Sequence, residues 1–411
     1  MATLAQAALW IGEQKPRTSA GRNICTVLDV DGAVGAGRVI KACAHFTAST
    51  PASRLRFGID RTGRVVQWLD ETPPEVTVLA PCADPASDPQ VTAAVHAAAA
   101  RDFELDGGPL ARFVVAPGQA RHRVALVVHH LTGDGACQPS VVRRLAAAIM
   151  GDCPEEPEAA YRALVETVRA VESHGMAEHS RFWDLWLENC HSRGLFDRAA
   201  DPGPRRPAEA AGGVRFQVRV PTRGRAASSG SLFSAAVRHS ARTLREAGWD
   251  DPFLAVATST RPPEGGPDEP VMGCFVNQVP LAVTPDADEE VWREGLRHRA
   301  FPYARLVSLA RARADRPELQ LDRVLLTYRR VHPRMCWAAE DGTGFQGHLG
   351  WPYPGSPSDF TVRVFDFGTG LDVQVVLGER AVGRYEGSAI VAGLAEGLRT
   401  SAAESGRRAA V

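Results

Sequence analysis

Lysine is almost absent from this chain of 411 residues. Of its 47 basic side chains only Lys15 and Lys41 are lysines; the rest are arginines. Against 48 acidic residues the net charge is −1, so no strong field recruits nucleic acid or a membrane surface. With the abundant Ala, Gly and Pro, the arginine bias reflects genome composition more than function. No run of about 18 or more apolar residues occurs, so no transmembrane helix is expected. The apolar start, Met1 to Trp10, has no basic residues ahead of it and makes a poor signal peptide. Cys25, Cys43, Cys82, Cys137, Cys153, Cys190, Cys274 and Cys336 form no Cys-x-x-Cys and no paired spacing. They read as reduced, mostly buried thiols of a cytoplasmic protein. A Gly-x-Ser-x-Gly elbow is missing too, which leaves covalent serine catalysis without support.

What is present is a soluble globular composition, 44% hydrophobic and 23% charged, at a length natural for two domains. Strands are predicted at 24–31, 54–60, 64–69, 111–116 and 122–130, and helices at 34–47, 90–101 and 138–150. Asp60-Arg61-Thr62-Gly63 has the composition of a hairpin turn. Residues 151–157 read as a linker, dividing the chain into 1–157 and 158–411. Beyond it, helix is predicted over 158–191, with Phe182, Trp183 and Trp186 at core spacing. The breaker Asp201 to Pro207 reads as an exposed connection. Strands follow at 214–220, 253–259, 274–283, 321–330, 359–366 and 371–378. Helices are predicted at 231–247, 288–312 and 383–401, with a disordered tail. Strands and helices mix without strict βαβ alternation, so a mixed sheet in an α/β arrangement is expected rather than a Rossmann fold.

The most informative stretch is His129-His130-Leu131-Thr132-Gly133-Asp134-Gly135, directly after the apolar run Val124 to Val128. Successive strand side chains point to opposite faces, so His129 shares a face with Val127, and His130 with Val128. Only one histidine can face a given cavity. Gly133 and Gly135 permit a tight turn, and Asp134 can fold back towards the strand end. A titratable base with a carboxylate nearby to order it is the arrangement that proton transfer requires. The bland alternative is a pair of satisfied core histidines. A metal site is disfavoured because adjacent strand residues diverge and no third ligand is spaced with them.

His129-His130-x-x-x-Asp134-Gly135 resembles the signature of condensation domains of nonribosomal peptide synthetases, within the chloramphenicol-acetyltransferase-like superfamily. Other segments agree in order. Ala5-Gln6-Ala7-Ala8-Leu9-Trp10 is similar to the family's opening segment, and Phe103 to Leu110 to its Phe-Asp-Leu-x-x-Gly-Pro-Leu lead-in. Gly273-Cys274-Phe275-Val276-Asn277 resembles its Gly-x-Phe-Val-Asn segment. His298 to Ala304 and Asp359-Phe360-Thr361 echo later ones. The family's Arg-His-Glu-x-Leu-Arg-Thr-x-Phe segment is degraded to Ser49 to Phe57, keeping Arg54 and Phe57, which suits a divergent, specialised member. Asp366 to Gly370 is similar to the Asp-Phe-Gly-Trp-Gly segment of plant-type acyltransferases but lacks the Trp, and a Gly-rich hairpin turn accounts for it better.

The resemblance implies two chloramphenicol-acetyltransferase-like lobes with mixed sheets, arranged as a V-shaped pseudo-dimer with the active site at their junction. It implies no bound metal or redox cofactor, the substrate being delivered on a carrier-protein phosphopantetheine. The reaction implied is acyl transfer from that thioester to an amine, or sometimes an alcohol. Alignment of the two reactants supplies much of the acceleration, and a positioned base adds about 10²–10⁴-fold. By resemblance His130 handles the nucleophile's proton, and His129 is structural. The Gly135 amide approaches the reacting carbonyl. Asp134 is tied to an arginine of the second lobe, whose place Arg261 occupies, since a buried carboxylate needs a paired charge. Asn277 lies near the substrate tunnel or packs strand ends. Cys137 reads as a small buried hydrophobe.

The chain carries no adenylation signature and no Gly-Gly-x-Ser carrier segment. An acyl or peptidyl carrier protein acting in trans on a monomeric enzyme, with a small soluble amine or alcohol acceptor, is the expectation. The rivals are a coenzyme-A-dependent acyltransferase of the same superfamily and a catalytically inactive module that recruits carrier proteins. An epimerisation domain is a further rival, but the Glu-Gly-His-Gly-Arg segment expected there is missing.

Overall fold

The computed structural model describes residues 1–14, 23–31, 34–105, 109–199, 213–222, 229–261, 271–285, 287–331, 335–348 and 358–408. The breaker at 201–207 and residues 106–108 of the lead-in lie outside them. In chain order the elements are α1 (Leu4–Glu13), β1 (Asn23–Asp31), α2 (Ala36–Ser49), β2 (Leu55–Ile59), β3 (Val65–Leu69), β4 (Glu75–Val78), α3 (Pro89–Ala100), β5 (Ala111–Ala116), β6 (Arg121–His129), α4 (Gln138–Met150) and α5 (Glu158–Ser173). Then come α6 (Met176–Ser192), α7 (Leu195–Arg198), β7 (Val214–Pro221), α8 (Ser229–Glu246), β8 (Phe253–Ser259), β9 (Val276–Ala282), α9 (Glu289–Arg297), α10 (Tyr303–Ala314) and β10 (Val324–Arg330). The last are β11 (Cys336–Ala338), β12 (Gly344–His348), β13 (Phe360–Asp366), β14 (Gly370–Leu377) and α11 (Gly387–Arg408). The fold is mixed α/β, and α11 continues through residues that the sequence assigned to a disordered tail.

Two compact units emerge. The first comprises 1–170, 261–275 and 332–354; the second comprises 171–260, 276–331 and 355–411. A single cut after residue 157 therefore differs from the observed division in three places. Residues 158–170, 261–275 and 332–354 all fold with the first unit.

The first unit is built on a six-stranded sheet of order β11-β12-β1-β6-β5-β4. It is mixed, with β1–β6 antiparallel and β4–β5 parallel. β6 is interior, and Val124 to Val128 are buried on both faces, which is why they read as an unbroken apolar run rather than an alternating one. β11 and β12 come from late in the chain; β12 pairs antiparallel to β1, His348 opposite Val27, and β11 pairs antiparallel to β12 at the edge. Across this sheet Arg123 grips the buried Asp29 with two hydrogen bonds of 2.7 and 2.8 Å, and His348 Nε2 lies 2.8 Å from the same carboxylate. β2 and β3 form a separate hairpin. Its turn is closed by the Asp60 carboxylate, which accepts from the Thr62 and Arg64 amides, with Gly63 at φ +79°. Only a residue without Cβ takes that angle without strain.

The second unit holds another six-stranded mixed sheet, β7-β14-β13-β10-β8-β9. Residues 367–369 make the β13–β14 turn, with the Asp366 side chain accepting from the Gly368 amide at 2.8 Å. The long helix expected over 158–191 is two helices, broken at Gly175, whose φ is +73°. Trp183 and Trp186 of α6 are buried and meet edge to face, while Phe182 stacks on His298 at 4.3 Å. The helix expected over 288–312 is likewise two, separated by the segment ending in Pro302. Proline lacks the amide that a continuing helix needs.

In this unit His179 Nδ1 faces His298 Nδ1 at 2.8 Å, and His298 Nε2 lies 3.2 Å from Glu294 Oε1. One proton serves the two facing nitrogens, so adding a second breaks the contact. Burial, then the neighbouring His298, lowers the His179 pKa below its ordinary 6.5. A depressed folded-state value means that the folded protein binds fewer protons than the unfolded chain. This contribution is therefore complete above the unfolded value and lost as pH falls through and below it. His239, depressed mainly by burial, acts in the same direction. The urea midpoint should fall between about pH 7.5 and pH 5.5, and His179→Gln should shrink that fall. A pH dependence unaltered by His179→Gln would remove the pair from the explanation.

Candidate active site

β6 carries the motif to the end of the first sheet, and its last residue is His129. The strand stops one residue earlier than expected. His130 lies in the turn, so strand alternation does not set its direction. The two imidazoles nonetheless have different surroundings. His129 is completely buried, and its amide donates to the Leu110 carbonyl at 3.0 Å. Its Nδ1 accepts from the Leu131 amide at 3.1 Å. A nitrogen that accepts cannot also carry the proton, so the ring hydrogen sits on Nε2, directed to the Glu13 carboxylate 4.0 Å away. The Phe103 ring meets His129 edge to face, and the guanidinium of Arg112 covers Phe103 at 3.6 Å. His129 is thus a fixed part of the core. His130 is only partly buried, and its Nδ1 lies 3.5 Å from the Sγ of Cys274.

Asp134 is buried and accepts from four donors. Oδ1 takes the amides of Ala136 and Cys137, at 3.0 and 3.3 Å. These belong to the short 3-10 turn Gly135–Cys137 that leads into α4. Oδ2 takes Arg261 Nη1 at 2.6 Å and the Phe275 amide at 2.9 Å. Burial pushes its carboxyl pKa up. The Arg261 charge and hydrogen bond, the Phe275 amide and the charge of His130 more than offset this, and the carboxyl lies below its ordinary value. Burial likewise works against the Arg261 cation, but the Asp134 carboxylate prevails and holds it charged. A carboxylate so engaged is an anchor, not a proton acceptor.

Asp134 and Arg261 both belong to the first unit, so their ion pair is internal to it rather than a link between two lobes. Arg261 opens a segment that leaves the second unit after β8 and returns at β9. Its Nη2 donates to the Gly273 carbonyl at 3.0 Å and the Val271 carbonyl at 3.3 Å, and the guanidinium lies 4.8 Å from the Phe275 ring. Gly273 has φ +154°, and a Cβ there would meet the Phe275 ring at 2.4 Å and Tyr161 at 3.1 Å. The phenol of Tyr161 is itself fixed, accepting from Gln6 at 3.2 Å and donating to Gln67 at 2.9 Å. Gln6 also completes the capping box of α1 with Thr3.

Cys137 is buried, its thiol donating to the Asp134 carbonyl at 3.0 Å, and burial followed by the Asp134 charge pushes its pKa up to about 11. It is no nucleophile. Six of the eight cysteines are buried; Cys336 is exposed.

Asn277 lies in the second unit. Its amide donates to the carbonyls of Arg299 and Phe301, both at 2.7 Å, and its carbonyl accepts from the Tyr303 amide at 3.2 Å. These contacts make it a clamp on the bend between α9 and α10. Of the motif residues Asp134 meets Arg261 directly, and the charge of His130 acts on the same carboxylate; Asn277 makes its contacts within the second unit. In the sequence Cys274 stands out only as one position of the Gly273–Asn277 segment. Nothing local marks it, because its partner His130 lies 144 positions away.

A buried pair that loses one member leaves an uncompensated charge. Arg261→Met should therefore destabilise the protein by about 3–5 kcal/mol, and adding Asp134→Leu should not recover the loss, because the amides of Ala136, Cys137 and Phe275 would then lose their acceptor. Urea unfolding of the variants measures this. A loss of only about 0–1 kcal/mol, the range of an exposed pair, would contradict the anchoring role.

The condensation domain family profile matches residues 1–215. No curated protein sequence matches the chain significantly. Among solved structures, the first condensation domain of the calcium-dependent antibiotic synthetase, in complex with a substrate analogue, superposes with a TM-score of 0.70 at 20% identity, covering 100% of this chain and 97% of that one. The starter condensation domain of rhizomide synthetase RzmA gives 0.68 at 18% identity, covering 99% and 97%. A double mutant of that domain in complex with C8-CoA gives 0.71 at 17% identity, covering 98% and 94%. These likenesses concern the fold, and with the profile match they place the chain in the condensation domain family.

Proposed function

We propose that this protein is a condensation enzyme. It transfers an acyl or aminoacyl group from a carrier-protein phosphopantetheine thioester to an amine or hydroxyl acceptor, forming an amide or ester in natural-product biosynthesis. The observation that carries this reading is the contrast between the two histidines. His129 is locked into the core, whereas the partly exposed His130 sits beside the Asp134–Arg261 anchor.

In the proposed step the acceptor nitrogen or oxygen attacks the thioester carbon while its proton passes to His130. A C–N or C–O bond forms, the C–S bond breaks, and the pantetheine thiol leaves with a proton returned by His130. Gly135 opens the turn that runs into α4, and in this scheme its own amide approaches the reacting carbonyl, the amides of Ala136 and Cys137 being taken by Asp134. Asp134 and Arg261 hold the frame and take no part in proton transfer. No bound metal or redox cofactor has a part in this scheme. We place the carrier protein in trans.

A second reading has one specific observation in its favour: the RzmA starter domain is described in complex with C8-CoA. A coenzyme A thioester would then replace the carrier. Intact-mass detection of product, with acyl-carrier proteins and acyl-CoA offered in parallel against a panel of amines and alcohols, separates the two. In the productive pairing His130→Ala should slow turnover by at least about 10²-fold. Near-normal turnover would remove His130 from the mechanism.

A further inference from the structure

We infer that Cys274 is a positioning residue for His130: its Sγ accepts the Nδ1–H of the imidazole, fixes the ring and leaves the Nε2 lone pair for the nucleophile's proton. The inference rests on the reading of His130 as the base and adds a residue that the motif does not contain.

The two adjacent histidines differ in what their Nδ1 atoms meet. His129 Nδ1 faces a backbone N–H, a group that can only donate. That ring is committed to the Nε2–H tautomer and has no lone pair on Nε2 to offer. His130 Nδ1 faces a thiol sulfur at 3.5 Å, a group that can accept. When Nε2 of His130 takes the proton of the attacking amine or alcohol, both ring nitrogens carry hydrogen. Nδ1–H then requires an acceptor, and Sγ is in place. If the same hydrogen bond exists before the transfer, the ring need not turn during the reaction, and the alignment is already made.

The sulfur is held from both sides. Arg261 grips the carbonyl of Gly273, and Asp134 takes the amide of Phe275, so the peptide groups flanking Cys274 are fixed by the two members of one ion pair. The wedge of Gly273 between Phe275 and Tyr161 leaves the segment little room to shift. The charged groups about it, Asp134 and Arg261, balance each other. Burial raises the pKa of the Tyr161 phenol and keeps it neutral. Cys274 itself is 2% exposed. Burial disfavours the thiolate, so this sulfur is suited to holding an imidazole rather than to attacking a thioester.

The test uses the full chain with ¹⁵N-labelled histidine, the His130 resonances being assigned by their disappearance in His130→Ala. At about pH 8 the neutral ring should be the Nδ1–H tautomer in the wild type. It should become a tautomer mixture in Cys274→Ala and return towards Nδ1–H in Cys274→Ser, whose hydroxyl can accept. With an N-acetylcysteamine thioester as donor, Cys274→Ala should lower kcat about 10-fold, a part of the general-base contribution. KM should be little changed, and the acid limb of the pH profile should move to lower pH because the imidazolium has lost an acceptor. Cys274→Ser should recover most of this.

An Nε2–H tautomer in the wild type would overturn the inference. So would a tautomer and pH profile indifferent to Cys274→Ala, or an acyl group found on Cys274 by mass spectrometry. If the tautomers behave as expected while His130→Ala turns over normally, the hydrogen bond is upheld and the assignment of His130 as base alone falls.

Discussion

The Asp134 carboxylate accepts from four donors on two stretches of chain more than a hundred residues apart. Two are the amides that begin the turn into α4, and two are Arg261 and the amide of Phe275. Removing a carboxylate and a guanidinium from water is costly, and the cost is met only where geometry is good and the remaining lone pairs are satisfied. Both conditions hold here. Their consequence is positional: Arg261 and Phe275, which lie in sequence between β8 and β9, are tied to the turn that follows β6. Arg261 then fixes Gly273, and Asp134 fixes Phe275, so Cys274 and with it the His130 ring inherit their places from one ion pair.

The division of labour between the two histidines follows from backbone chemistry. His129 is the last residue of a strand buried on both faces, and the chain turns immediately after it. That turn brings the Leu131 amide onto Nδ1 and the Thr132 amide onto the His129 carbonyl. A ring so bonded cannot exchange its proton without losing a buried hydrogen bond. His130, one residue on, is outside the ladder and only partly buried. A two-histidine sequence thereby yields two imidazoles in different settings, one locked in the core and one partly exposed beside Cys274.

Much of this was legible in the sequence because it is local. The run Val124 to Val128 gave β6, and Gln138 to Met150 gave α4 to the residue. Asp60 to Gly63 gave a hairpin turn, since each depends on periodicity or turn chemistry within a few residues. The pairing of Asp134 with Arg261 came from family resemblance, not from any local pattern. What was not legible depends on distant partners. The break at 298–302 is held by Asn277, which a helical pattern over 288–312 does not reveal. β11 and β12 are three and five residues long, and β12 carries two glycines; β12 is a strand because β1 offers its edge, and β11 because β12 in turn offers its own. The membership of 261–275 in the first unit, and so the internal character of the ion pair, appears only when the chain is folded.

In the proposed reaction the Asp134 anchor serves chemistry through His130. A double-mutant cycle on turnover tests it most directly, combining Asp134→Asn with His130→Ala in the carrier-protein or thioester assay. The asparagine keeps the shape and removes the charge. Asp134→Asn should slow the wild-type enzyme and have little further effect once His130 is alanine. The same fold-loss in both backgrounds would show that Asp134 acts independently of His130 and would contradict the account.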